Sequence, residues 1–278
     1  MKKSFQRERR FVCGPSKASA EYQEVYIYPM TDSKAGRDYD REVTRPRRAT
    51  TKAMADANAR RARRHLVQLI NTNFDEHDVH TTLTYKDELL PADDAQAERD
   101  LDNFVRHLAA KCKKQGLPGP EYVAVTEGQT ADSESGAKAV RYHHHIVLKC
   151  GLTRDEIEQC WNRNRVKLGY ANADRLQLDK GSAERLALYI TKAAHHKRRW
   201  KQSRGLRQPI MPRPNDSKYS RRKVERLAKD AALLHDADFW EAKYPGWLLN
   251  EAQAVYNDYT GWSIILKMRR KRYERMAD

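Results

Sequence analysis

Three consecutive histidines, His143, His144 and His145, stand in the string Tyr-His-His-His-Ile-Val-Leu-Lys-Cys from Tyr142 to Cys150. The β-branched, apolar run Ile146-Val147-Leu148 makes this stretch a strand. Strand side chains alternate, so His143 and His145 share one face and His144 points to the other. Two imidazoles held at strand spacing form a pair of metal ligands, where a plain polar strand end would leave them facing water. A second chemical group lies downstream. Residues Ser182–His196 read as a helix, with Leu186, Tyr189, Ile190 and Ala193 at helical spacing. Tyr189 and Lys192 are three apart and share a helix face. A phenol beside an ammonium suits nucleophilic attack, because the cation favours the phenolate. Such a tyrosine also packs readily into a core, so the pair gains meaning only together with the histidines.

The elements around these residues are regular. Val79–Tyr85 is a strand, and Pro91 with Asp93-Asp94 marks the start of a helix over Ala95–Gln115, with Leu101, Phe104, Val105 and Leu108 at helical spacing. Tyr122–Thr126 is a strand ending at Glu127, and a polar loop returns the chain into the histidine strand as an antiparallel partner. Thr153-Arg-Asp-Glu156 is a capping box opening a helix through Trp161. Val166–Leu168 and Leu176–Leu178 are short strand candidates. This order predicts an α+β fold with an antiparallel sheet covered on one face, the histidine pair lying on a central strand. Glu127 closes the strand before the histidines, so a hairpin brings its carboxylate near them as a third ligand. His80 on the opening strand is the alternative.

Charge separates the chain into regions. The 278 residues carry 54 Lys+Arg against 38 Asp+Glu, a formal net charge of +16. Residues 1–64 hold 17 basic and 8 acidic residues, and residues 192–229 hold 14 and 2, while the histidine-bearing middle is mildly acidic. Such asymmetry is the footprint of a nucleic-acid binder. Lys197, Arg198, Arg199, Trp200 and Lys201, with Arg221, Arg222 and Lys223, supply cations for phosphates and an indole for stacking. Three regions are expected: a basic N-terminal arm over 1–70, a nuclease domain over 71–200, and a basic linker with an aromatic-rich C-terminal subdomain over 201–278. Residues Pro209–Pro214 read as linker, and the tail aromatics as packing for that subdomain. No apolar run approaches the ~20 residues needed to span a bilayer, and the first residues carry no apolar stretch of signal-peptide length. A cytoplasmic protein without a membrane partner is expected. Cys13, Cys112, Cys150 and Cys160 lack the spacing of a disulfide framework or a cysteine zinc site.

The His-x-His strand followed by a Tyr-x-x-Lys helix, preceded by the Thr-Leu-Thr of Val79–Tyr85, resembles the HUH endonucleases. It is most similar to the single-tyrosine rolling-circle replication initiators of small plasmids and single-stranded DNA phages. One departure stands out: the middle residue, normally bulky and hydrophobic in that family, is His144. The resemblance implies site-specific nicking of origin DNA, with Mg²⁺ or Mn²⁺ held by His143, His145 and Glu127. It implies attack by Tyr189 assisted by Lys192, a 5′-phosphotyrosyl intermediate, a free 3′-hydroxyl primer and a host helicase as partner. Tyr219 is the alternative nucleophile. No G-x-x-x-x-G-K-[ST] loop is present, so no ATP-driven helicase is expected within the chain. Two rival readings remain open: a hydrolytic His₂-Glu metalloenzyme, and a basic nucleic-acid-binding protein without catalysis.

Overall fold

The structure is a computed structural model that describes residues 4–31, 52–129, 140–178, 183, 187 and 200–271. The chain divides into two compact units, one of residues 50–207 and one of residues 1–49 with 208–278.

The 50–207 unit is built on a five-stranded antiparallel sheet. Its strands are β3 (Val79–Thr84), β4 (Glu121–Gln129), β5 (Val140–Lys149), β8 (Ala171–Arg175) and β9 (Lys201–Gln202), in the order β8-β3-β5-β4-β9. The histidine strand β5 is therefore central. Helices α1 (Lys52–Asn73), α2 (Asp94–Lys114) and α3 (Arg154–Gln159) accompany the sheet, and β6 (Asn162–Arg163) pairs with β7 (Val166–Lys167) in a small hairpin. Helix α2 starts where Asp93 caps the Gln96 amide at 2.6 Å. Its apolar stripe of Ala97, Leu101, Phe104, Leu108 and Cys112 packs against Leu83, Tyr122, Ala124, Tyr142, Ile146 and Leu148 of the sheet. The expected capping box at Thr153 and Glu156 opens α3.

The other face of this sheet is also buried, which corrects the expectation of cover on one face. Val123, Val125 and Val147, on the face of His143 and His145, have no exposed surface, and neither do Leu66, Leu69 and Ile70 of α1. Lys149, on that same face, donates to the carbonyl of Asn73 at the end of α1 at 3.0 Å. The expected strand at Leu176–Leu178 is displaced to β8, where Ala171 and Ala173 alternate into the core. Of the helix expected over Ser182–His196, Ala183 and Ala187 are described, and both are helical and buried.

The second unit carries a four-stranded antiparallel sheet of β1 (Ser4–Cys13), β2 (Tyr22–Thr31), β10 (Trp247–Asn257) and β11 (Gly261–Arg270), in the order β1-β2-β11-β10. Helices α4 (Arg221–Lys229), α5 (Ala231–Leu234) and α6 (Ala237–Lys243) share its core, where Val25, Ile27, Ile264 and Leu266 meet Val224, Leu227 and Trp240. The boundaries thus fall at 49/50 and 207/208, away from the expected 70 and 200. Residues expected to open a separate arm supply two strands to the sheet of the C-terminal hairpin, because β2 finds a partner edge in β11. The expected linker is likewise tied down, with Ile210 bridging Val12 and Asn215 bridging Glu8. The four cysteines are buried and form no disulfide with one another. Among the described residues no helix is long and apolar enough to cross a membrane.

Candidate metal centre

Strand register builds the site. In β5, His143 pairs across to Thr84 of β3 and Glu127 of β4, and His145 pairs to Thr82 and Val125. Directly opposed residues of an antiparallel pair project to the same side, so His143, His145 and Glu127 converge. The Glu127 Oε2 lies 3.1 Å from the His143 Nε2. One ligand atom from each of Glu127, His143 and His145 can be chosen so that all three lie within 4.8 Å of one another. Glu127 is only 9% exposed, so its carboxylate is held rather than freely solvated.

Neighbouring groups fix the two rings. His143 Nδ1 bonds the Arg141 carbonyl at 2.9 Å, which directs Nε2 toward Glu127. His145 Nδ1 lies 3.4 Å from the Thr82 hydroxyl, and its ring stacks on that of His80 at 5.6 Å between centroids. His80, the alternative third ligand, therefore supports the ring of His145 and stands outside the triad. Gly128 holds Glu127 in place. It sits at φ +142° in a bulge of β4, and a Cβ there would come 2.5 Å from Cδ1 of Tyr142. Only glycine fits that approach, and bulges re-aim the side chain beside them.

His144 points the other way, as alternation requires. It is fully buried, with Tyr85 Oη 2.8 Å from Nε2 and Thr126 Oγ1 2.9 Å from Nδ1. A neutral imidazole with one donor and one acceptor nitrogen satisfies both bonds. Its ring also meets Trp161 edge-on at 5.5 Å. The departure from a hydrophobic middle residue is thus accommodated by a polar pair inside the core.

The donor set fits a divalent ion. Ligand–metal distances of ~2.0–2.2 Å place two ligand atoms of one ion no more than about 4.4 Å apart. The observed spread closes to that value by small side-chain rotations. Two imidazoles and one carboxylate leave coordination positions for oxygens of a substrate.

The other expected site residues divide into two groups. Tyr189, Lys192, Lys197, Arg198 and Arg199 lie outside the described residues. Trp200 is half-buried, its ring 6.0 Å from that of His65, and Lys201 forms an ion pair with Asp102. In the second unit, Arg221 and Arg222 are exposed, while the ammonium of Lys223 lies 5.6 Å from the ring of Tyr219 and 5.9 Å from that of Phe239. Tyr219, the alternative nucleophile, is buried and shares a 3.1 Å hydroxyl contact with Tyr244. Burial pushes its hydroxyl up to about 12, the opposite of what attack requires.

One tyrosine escaped the sequence reading. Tyr170 is 67% exposed, and its carbonyl accepts from the Thr84 amide at 2.8 Å. This continues the β3–β8 ladder, so Tyr170, Thr84, His143 and Glu127 form one row across the sheet. The preceding Gly169 permits the approach, since a Cβ there would lie 2.2 Å from the Thr84 carbonyl oxygen. The only sequence signal was the Gly-Tyr pair before β8, which periodicity does not rank.

With this geometry in hand, comparison with known proteins adds one finding. Residues 78–194 match the family model of the replication-associated protein ORF2. The matched stretch begins with β3 and takes in β4, β5 and β8, and hence the whole triad. No curated protein and no solved structure matches the chain.

Proposed function

We propose that the chain initiates DNA replication by cutting one strand at an origin, with the Glu127, His143 and His145 cluster as its metal centre. The observation that carries this reading is the convergence of those three side chains within the stretch that matches a replication-associated family. Mn²⁺ or Mg²⁺ is the ion assigned to it, and the two nitrogen donors favour Mn²⁺. Such an ion, when bound, neutralises charge on the scissile phosphate.

The chain's own residues supply the remaining chemistry. The phenolic oxygen of Tyr189 attacks phosphorus, the bond from phosphorus to the 3′ oxygen breaks, and that oxygen leaves as a 3′-hydroxyl after taking up a proton. The 5′ end stays esterified to Tyr189, which conserves the energy of the broken bond for rejoining. A phenol's ordinary pKa is ~10, and the Lys192 ammonium favours its ionised form. The flanking cations, Lys197 to Arg199 and Lys201 among them, neutralise backbone phosphates. A helicase partner opens the duplex and the 3′-hydroxyl primes synthesis, all in the cytoplasm.

The direct test is incubation with Mn²⁺ and supercoiled DNA that carries the origin of the chain's own replicon. A single nick with protein linked to the 5′ end is the expected product. Nicking without covalent linkage would instead favour a hydrolytic centre.

A further inference from the structure

The tail aromatics were expected to pack a subdomain, and Trp240, Tyr244 and Trp247 do so. The tip of the β10–β11 hairpin behaves differently. Tyr259 is 96% exposed, and Val255 and Tyr256 beside it are 42% and 56% exposed. Folding gains nothing from presenting such apolar surface to water.

The tip is nevertheless rigid. Asn257 Oδ1 accepts from the Tyr259 amide, the Thr260 amide and the Thr260 hydroxyl at 3.0, 3.0 and 3.1 Å. Gly261 then closes the turn at φ +90°. The ring of Tyr259 is carried on fixed backbone and forms one wall of a concavity of about 110 Å³. Phe5, Pro29 and Met30 give that concavity an apolar floor, and Arg221 lines its side. The Arg221 guanidinium lies over the turn, 3.7 Å from where a Cβ on Gly261 would stand.

The charge around it has one sign. Helix α4 carries Arg221, Arg222, Lys223, Arg226 and Lys229 against the single acid Glu225. Val224, Leu227 and Ala228 are its buried side, which leaves Arg222 and Arg226, one helical turn apart, on the exposed side. The acid at the tip is Asp258.

We propose that this end of the second unit binds an unpaired nucleotide of single-stranded DNA. Its base stacks on Tyr259 over the floor of Phe5 and Met30, and the adjoining phosphates run along Arg221, Arg222 and Arg226. A flat apolar slot walled by an aromatic ring and a guanidinium suits a nucleobase, and a row of cations suits its backbone. The choice of DNA as polyanion rests on the proposed function.

The test is fluorescence anisotropy of the full chain with a labelled single-stranded oligothymidylate, in EDTA so that no strand is cut. Tyr259→Ala should weaken binding about 10-fold, as loss of one stacking platform does, while Tyr259→Phe should bind nearly as wild type. The slope of log K against log salt should be unchanged in Tyr259→Ala. It should fall by about 1.4 when Arg222 and Arg226 are both replaced by alanine, at ~0.7 per phosphate on single strands. Wild-type affinity in Tyr259→Ala, or a defect confined to phosphatidylserine vesicles, overturns the proposal. If the wild type fails to nick its origin but Tyr259→Ala still loses oligonucleotide affinity, the proposed function falls and this site stands. Normal nicking with an unaffected Tyr259→Ala removes this site alone.

Discussion

Glu127 and His143 face each other across the β4–β5 ladder with 3.1 Å between carboxylate and imidazole, and the bulge at Gly128 holds them there. That pair, with His145, defines a site that binds metal through three side chains. His143→Ala and His145→Ala should each lower Mn²⁺ affinity by about 10-fold or more, and Glu127→Gln should weaken it while retaining the fold. Calorimetric titration with MnCl₂ measures this, alongside circular dichroism to confirm folding. Equal Mn²⁺ affinity in all three variants would remove the triad as a metal centre.

His144 should behave as a core residue. His144→Ala orphans the hydroxyl of Tyr85, which is 2% exposed, and leaves a void against Trp161. A destabilisation of about 2–3 kcal/mol is expected from an unsatisfied buried hydroxyl and lost packing. Urea unfolding measures it, and Mn²⁺ affinity at low temperature should stay near wild type. A variant as stable as wild type that binds no metal would reverse the roles of the two faces.

Much of this centre was legible beforehand. The His-His-His run followed by β-branched residues specified a strand, and alternation alone separated His143 and His145 from His144. Glu127 followed from reading β4 and β5 as a hairpin, since it ends one strand where the other brings His143 alongside. The division into units was not legible. Pairing of β2 with β11 joins residues more than 200 positions apart, and local periodicity carries no information about a partner so distant. The second covered face was missed for a related reason, because α1 reads as basic along its length and only its last turns are buried. Tyr170 was missed because its place in the row of the triad depends on the β3–β8 register.

Acid should weaken the 50–207 unit through His65. Burial holds this imidazole below its ordinary value of 6.5. As pH falls through about 6.5 the unfolded chain takes up a proton there and the folded protein does not, so stability is lost on the acid side and is fully present above that value. His65→Phe lacks this component. Its unfolding free energy should therefore fall less than that of the wild type between about pH 7.5 and pH 5.5. Identical pH profiles in denaturant unfolding would contradict the assignment.

The remaining tyrosines separate cleanly. Tyr219→Phe removes a hydroxyl whose pKa burial pushes up to about 12, and it should leave covalent adduct formation at wild-type level. Tyr170→Phe should also retain the adduct, although Tyr170 is exposed in the row of His143 and Glu127. Single-turnover assays with origin oligonucleotide decide this. Loss of adduct in Tyr170→Phe alone would transfer the nucleophile to the start of β8.

The measurement closest to the proposed function is denaturing electrophoresis of the full chain with a labelled single-stranded origin oligonucleotide and Mn²⁺. Wild type should yield a band in which protein and the 5′ fragment end are covalently joined, and EDTA should abolish it. Tyr189→Phe should bind the oligonucleotide and Mn²⁺ normally and give no such band, while Lys192→Ala should give it more slowly. An adduct that persists undiminished in Tyr189→Phe, or a wild type that forms none on its own origin, would contradict tyrosine-linked initiation.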